Sequence, residues 1–380
     1  MKNRKKLIAI RSDDDFDKLN FLSSFYSNSK AIELSLDAGA NLSKLFSKAI
    51  RNLQEISYLK LRGDFVDKQL EALSRELSDL KCVHFDLSTK TIEIKHNAFA
   101  MMISSLANLE MLKFSCNGYI SIELKFGKAL PSMQHLKSVI FDDVKISEHD
   151  FSLLFDAKGK DLEYLCIYYS RELINASLVL QEIFIKCKKL KELHFRVQHS
   201  TIENLKLVNI PTLNYVYFGV SKLTLNAASE KFTNVENLVL YLNHSTDYDF
   251  AQILSRFPTL KSVIFLFVGN LSVLTLKAVS NLKYLRKIEF LRSGHEDFVN
   301  LVKGFVAAAH TCVNFFVDEP KSNAEFNDLL DIFERLAKQR NANIKVGLRG
   351  DRWIVSKNLP PNLKLIDVLK TSSVFDLFKY

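Results

Sequence analysis

The sequence predicts an α/β solenoid, a stack of strand–helix units burying one continuous core. Three observations predict it: a short apolar pattern recurs at a narrow period along nearly the whole chain, the spacers between copies carry helical periodicity, and 11 Gly and 6 Pro in 380 residues leave little material for linkers. The pattern reads L-x-x-L-x-L, with Val, Ile or Phe as substitutes. Its clearest copies are LKCVHF from Leu80, LEMLKF from Leu109, LKSVIF from Leu136, LEYLCI from Leu162, LKELHF from Leu190, LNYVYF from Leu213, VENLVL from Val235, LKSVIF from Leu260 and LRKIEF from Leu285. Successive starts lie 29, 27, 26, 28, 23, 22, 25 and 25 residues apart, a spread too narrow for scattered leucines.

Weaker copies extend the series on both sides. AIELSL begins at Ala31, and residues 53–61 hold either ISYLKL from Ile56 or LQEISY from Leu53; toward the C-terminus follow CVNFFV from Cys312, NANIKV from Asn341 and LKLIDV from Leu363. The total is about 14 units, the terminal ones atypical, as end caps of a stacked array tend to be. Pro211, Pro258 and Pro361 each stand two residues before a copy's first position, where proline ends the preceding element without costing a ladder hydrogen bond.

Within a copy the fourth and sixth residues put two apolar side chains on one strand face, while the third, fifth and seventh point the other way. The spacers read as helices: Phe298, Leu301, Val302, Phe305 and Val306 follow i, i+3, i+4, i+7, i+8, and Phe326, Leu329, Leu330, Phe333 and Leu336 trace a similar stripe. Ser322 with Glu325 has the spacing of a capping box at the entry to the second. One such unit cannot bury its apolar face alone and must stack on neighbours. The domain organisation expected is an N-terminal capping segment at 1–30, the solenoid at 31–370 and a C-terminal tail at 371–380.

On these residues the chain resembles leucine-rich repeat proteins, in particular the ribonuclease-inhibitor-like subclass with longer, helix-bearing repeats. The resemblance implies a horseshoe with a concave parallel sheet and convex helices, in irregular repeats of 22–29 residues. The family places Asn or Cys at the ninth repeat position; here Asn117 and Asn243 fit, Ser88, Ser170, Ser221, Ser293 and Thr371 substitute, and Val144, Gln198, Val268, Pro320 and Arg349 depart.

The third, fifth and seventh residues from Leu162 onward gather Tyr164, Tyr168, His194, Arg196, Tyr215, Tyr217 and Tyr241 on four adjacent strands, five of the chain's 12 tyrosines among them. Tyr and Arg dominate protein-binding hot spots because they bury large area and still offer a hydrogen bond. These seven are the candidate partner-binding residues, although cross-strand aromatic pairs also stabilise sheets that bind nothing. Ile264, Leu266, Leu291 and Phe316 continue the face as an apolar stripe, either further docking surface or a seat for the C-terminal segment.

Catalytic signatures are absent. The sequence has no G-x-x-x-x-G-K-[ST] or G-x-G-x-x-G loop, no G-x-S-x-G elbow, no H-E-x-x-H helix and no C-x-x-C pair. Cys82, His84 and Asp86 alternate along one strand and form the single nucleophile-like set, lacking a visible further ligand or partner. Five cysteines without close pairs suggest reduced thiols, and MKNRKKLIAIRSDDD lacks the apolar run of a secretory signal or anchor, so a cytoplasmic address, with a nuclear one as the variant, is expected. The expected function is non-catalytic: an interaction scaffold or adaptor that binds a partner protein through the concave sheet, in its narrowest version a substrate-recognition subunit in a ubiquitin pathway. Neither cofactor, metal nor membrane insertion is expected. The net charge of +9 motivates a second reading, a basic RNA-binding protein, and the Cys82, His84, Asp86 strand a third, an enzyme.

Overall fold

The computed structural model describes residues 6–10, 32–37, 58–62, 80–86, 102–116, 130–144, 146–169, 175–266, 271–291, 298–317, 322–340, 342–348 and 359–367. The chain divides into two compact units, Met1–Val197 and Gln198–Tyr380. In the first, β1 (Lys6–Ile10), β2 (Ile32–Asp37), β3 (Tyr58–Arg62), β4 (Cys82–Asp86), β5 (Met111–Ser115), β6 (Ser138–Asp142), β7 (Tyr164–Tyr169) and the start of β8 (Glu192–Leu205) pair parallel in chain order, with α1 (Glu148–Lys158) before β7 and α2 (Ala176–Lys186) before β8. In the second, β9 (Tyr215–Leu225), β10 (Asn237–Leu242), β11 (Ser262–Leu266), β12 (Lys287–Leu291), β13 (Asn314–Val317), β14 (Ile344–Leu348) and β15 (Leu363–Asp367) do the same. Between them run α3 (Asp247–Ser255), α4 (Val273–Ser280), α5 (Phe298–Ala308) and α6 (Asn323–Gln339). This is the α/β repeat solenoid that the periodicity predicts: parallel strands ordered as the chain is, with helical crossovers.

Register follows the pattern. Fourth residues stand beside fourth residues, Leu59↔Val83↔Leu112↔Val139↔Leu165↔Leu193 in the first unit and Val216↔Leu238↔Val263↔Ile288↔Phe315 in the second. All of these are at most 1% exposed. Sixth residues form a phenylalanine spine behind them: Phe85, Phe114 and Phe141 stack with centroids 5.3 and 5.9 Å apart, and Phe265 stacks on Phe290 at 5.6 Å. The helices close over this face, Phe151 of α1 meeting Phe141 edge-on at 5.7 Å and Phe305 of α5 meeting Phe290 at 4.9 Å. Such aromatic pairs add about 0.5–1.5 kcal/mol each beyond the area they bury.

The structure selects ISYLKL over LQEISY, since Leu34 pairs with Leu59. It also adds β1, whose Ile8 and Ile10 pair with Leu34 and Leu36 as fourth and sixth residues although Lys5 stands where the first leucine would. Two terminal copies shift. Phe315 pairs with Val346 rather than Ile344, a two-residue slip that keeps every side chain on its face. Val346 pairs with Leu365, so Leu363 and Leu365 rather than Ile366 continue the fourth-and-sixth face, and Leu363 is buried.

The helical spacers expected throughout fail after Leu190 and Leu213, the two shortest repeats. There β8 and β9 continue as strands, with Ser200, Ile202, Leu205, Leu223 and Leu225 buried between more exposed neighbours. A 22- or 23-residue repeat has too little chain for a helix and two turns, and the two-residue alternation in SKLTL suits a half-buried strand instead, whereas in TIENL the buried Ile202 and Leu205 are three apart. Positive φ at His199 and Asn204, 64° and 55°, breaks the regular extension.

Two polar devices lock neighbouring repeats. The second position alternates in sign, with Lys81 3.0 Å from Glu110, Lys191 on Glu163 and Lys261 on Glu236. The hydrogen bond from Lys81 holds the Glu110 carboxyl below its usual range, that from Lys191 does the same for Glu163, and Lys137 between them adds to both. The residue before a copy's first position reaches back to the preceding repeat: Thr259 Oγ1 donates to the Val235 carbonyl, Thr311 Oγ1 to Leu285, and Asn362 Nδ2 to Ala337, Arg340 and Ala342.

Candidate functional site

The sheet face away from the helices carries the residues singled out in the sequence. In the first unit Tyr164, Cys166 and Tyr168 of β7 stand beside Glu192, His194 and Arg196 of β8. The Arg196 guanidinium lies 4.7 Å from the centre of the Tyr168 ring, and the Tyr164 and His194 rings are 5.3 Å apart. A guanidinium over a tyrosine face is attracted by the ring quadrupole, which orients both groups. Tyr164, Tyr168 and Arg196 are half-buried, while His194, at 4% exposure, lies beneath its neighbours. Burial pushes the Cys166 thiol between them up to about 12, so it stands there as a neutral thiol.

The same face continues toward β3 as a lane of alternating charge. Lys60 Nζ is 3.0 Å from Asp86 Oδ2, and His84 shares hydrogen bonds with the Tyr58 hydroxyl (3.2 Å) and with Ser115 Oγ (2.7 Å). Lys113, 7% exposed, faces Asp142 and Asp86; burial lowers its affinity for a proton, and the two carboxylates oppose that shift. Asp142 is displaced the other way: burial raises its carboxyl, and Lys113 and then Arg196 partly offset this. Both ring nitrogens of His84 meet hydroxyls, and the Asp86 carboxylate serves Lys60. No group of three or more His, Cys, Asp or Glu side chains positioned for a metal occurs among the described residues.

In the second unit Tyr215 stands beside Asn237, Tyr217 beside Val239, and Gly219 beside Tyr241. Tyr217, Val239, Ile264 and Leu266 form a cluster 1–8% exposed, and Tyr215 and Tyr241 pack on it while remaining partly open. The apolar stripe expected at Ile264 and Leu266 is thus a small second core whose lid includes two of the candidate tyrosines. Lys287 covers the Phe316 ring at 4.7 Å and pairs with Glu289 at 2.8 Å. The side chain of Leu291 and the expected tail at 371–380 lie outside the described residues. Of the seven candidates, Tyr164, Tyr168 and Arg196 in one unit and Tyr215 and Tyr241 in the other are partly exposed, while His194 and Tyr217 are buried.

The sequence reading has the faces of β4 and β5 as mixed and mostly polar but does not pair their charges with those beside them; Lys60, Arg62, Asp86, Lys113 and Asp142 all stand at fifth or seventh positions. Asn243 does occupy the turn after β10, but its amide reaches the Tyr241 hydroxyl (3.5 Å) instead of turn backbone; Asn117 lies outside the described residues. No helix among the described residues is long and apolar enough to cross a membrane.

No family model matches this chain, and no curated protein sequence is similar to it. Among solved structures, one that is similar comes from the complex of Rad7 and Elc1 in yeast, with 14% identity, a TM-score of 0.42, and coverage of 94% of this chain and 89% of that one.

Proposed function

We propose that the protein is a non-catalytic recognition scaffold that binds a partner protein on the sheet face away from its helices. The observation that carries this reading is the half-buried pair of Tyr168 and Arg196, ring and guanidinium preassembled at 4.7 Å, beside Tyr164 on the same face. Rigid, amphipathic side chains held in place before binding cost little entropy when a partner covers them. In the second unit, taken by itself, Tyr215 and Tyr241 are the partly open residues of the same strand positions, packed on Tyr217, as Tyr164 in the first unit packs on His194. Within the leucine-rich repeat class, the helix-bearing repeats of 25–29 residues support the ribonuclease-inhibitor-like subclass, and the helix-free pair after Leu190 and Leu213 departs from it. A cytoplasmic or nuclear address and a role as substrate-recognition subunit in a ubiquitin pathway are the narrower form of the same proposal.

The experiment is a nuclease-treated affinity capture from native extract with wild-type protein and two folded variants, Tyr164→Ala/Tyr168→Ala/Arg196→Ala and Tyr215→Ala/Tyr241→Ala. Partners held by the wild type and lost from either variant support the reading, and a ligase component among them supports its narrower form. Partners retained equally by all three proteins contradict it. Partners lost from all three after nuclease treatment give RNA precedence, with affinity that falls steeply with salt.

A further inference from the structure

A cleft of about 360 Å³ lies between α5 and α6, on the helix side of the second unit. Its floor is apolar, built from Val306 of α5 and Ile332 and Leu336 of α6, each buried in the packed structure. Its walls are cationic: Lys303 and His310 come from the α5 side, and Arg335 and Arg340 from α6. No carboxylate lines it.

Positive side chains near helix C-termini ordinarily answer the unsatisfied carbonyls there. Here that need is met by other groups. The Arg340 guanidinium donates to the carbonyls of Val306 (3.0 Å), Ala309 (3.1 Å) and Cys312 (2.6 Å), closing the end of α5. Asn362 closes the end of α6 through the carbonyls of Ala337, Arg340 and Ala342. Lys303, His310 and the guanidinium end of Arg335, whose Nε rests on the Asp331 carbonyl, are left without an ion pair among the described residues. Carbonyl dipoles orient Arg340 but do not cancel its charge. Three permanent positive charges thus surround an apolar floor in a half-open cleft of small-molecule size.

We propose that this cleft binds a small amphiphilic anion, its apolar chain or ring seated on Val306, Ile332 and Leu336 and its carboxylate or phosphate met by Lys303, Arg335 and Arg340. The apolar floor selects against bare inorganic anions, and the cations select against neutral amphiphiles.

The test is isothermal titration of the full chain with hexyl phosphate, hexanoate, hexanol and inorganic phosphate. Saturable one-to-one binding of hexyl phosphate or hexanoate, at least about tenfold tighter than hexanol or phosphate alone, is the expected result, and the comparison of the two acids identifies the preferred head group. A Lys303→Gln/Arg335→Gln variant, altered only at two exposed positions, should keep its melting curve and lose about tenfold in affinity. Absence of saturable binding by either acid, binding of phosphate alone as tight as that of hexyl phosphate, or full affinity in the variant would each overturn the proposal.

Discussion

Replacing Asp247 by Ala is predicted to weaken the second unit by about 2–4 kcal/mol, and the reason lies in how one repeat caps the helix of the next. The N-cap of α4, Ser272, forms no side-chain cap bond of its own. Instead the Asp247 carboxylate, at the first turn of α3, accepts from the backbone N–H of Ser272 (2.8 Å), Leu274 (2.8 Å) and Thr275 (3.0 Å), and from the hydroxyls of Ser272 and Thr275. Ser272 and Leu274 are exposed, so water replaces most of what they lose, leaving about half a kcal/mol apiece for dipole and cap. Thr275 is 0% exposed, and stranding its amide costs about 1–3 kcal/mol, while its hydroxyl keeps the backbone carbonyl of residue 247 (3.3 Å) as an acceptor. Asp247→Asn keeps an acceptor oxygen and should lose about half as much. The acid limb supplies an independent check. Burial pushes the carboxyl up, but the bonds from Thr275, Ser272 and Leu274 outweigh it and leave the folded value below the ordinary 3.8. A depressed folded value means stability that is fully present above about pH 4 and is lost as pH falls through the folded value, a loss that both variants should lack. Urea unfolding followed by far-UV circular dichroism, from pH 7 down to pH 3, measures both effects. A change below about 0.5 kcal/mol at pH 7 in Asp247→Ala, or an acid limb identical to the wild type's, would refute the reasoning.

Phe114→Ala, which removes the middle ring of the Phe85, Phe114, Phe141 stack, should cost about 3–5 kcal/mol in the same assay; a cost near 1 kcal/mol would mean the spine collapses around the gap. Cys187 and Cys312 are 0% exposed and burial pushes both thiols up to about 12, so alkylation at pH 8 should proceed only as fast as the chain opens, as read by mass spectrometry with and without urea. Because those folded values are raised, their contribution to stability declines as pH climbs from about 9 toward 12. Single reversals Lys81→Glu and Glu110→Lys should each lower the unfolding midpoint, and the double reversal should recover part of the loss, Lys137 still opposing a lysine at position 110; a double variant that merely sums the two losses would show that their 3.0 Å pair does not couple the strands.

The fold was legible where the pattern was dense. Nine copies between Leu80 and Leu285 placed the fourth and sixth residues in the core without error of face, because a two-residue period gives each strand only two choices. The ends were less legible for the same reason: NANIKV and LKLIDV each offer two registers of similar apolarity, and only the pairing with Phe315 decides between them. Helix-free spacers after Leu190 and Leu213 were marked by short repeat length and, in SKLTL, by two-residue alternation. The site divides along a similar line. Alternation assigned Tyr164, Tyr168, Arg196, Tyr215 and Tyr241 to one face, yet it carries no information on depth. Tyr217 sinks to 2% exposure because Val239, Ile264 and Leu266 stand next to it across three strands, and His194 to 4% beside Tyr164. The alternating charges at Lys81, Glu110, Lys137, Glu163 and Lys191 were written in the sequence from the start, but become a ladder only once the strands are aligned.

Recognition of a protein by the sheet face away from the helices is what we propose. Its most direct test is the affinity of a purified captured partner for wild type, Tyr168→Ala and Leu178→Ala, the last a 59% exposed residue of α2. A preassembled tyrosine at the heart of a contact is worth about 2 kcal/mol, so Tyr168→Ala should bind about 30-fold more weakly while Leu178→Ala binds as the wild type does. Equal affinity for all three proteins, or a loss confined to Leu178→Ala, would contradict the account.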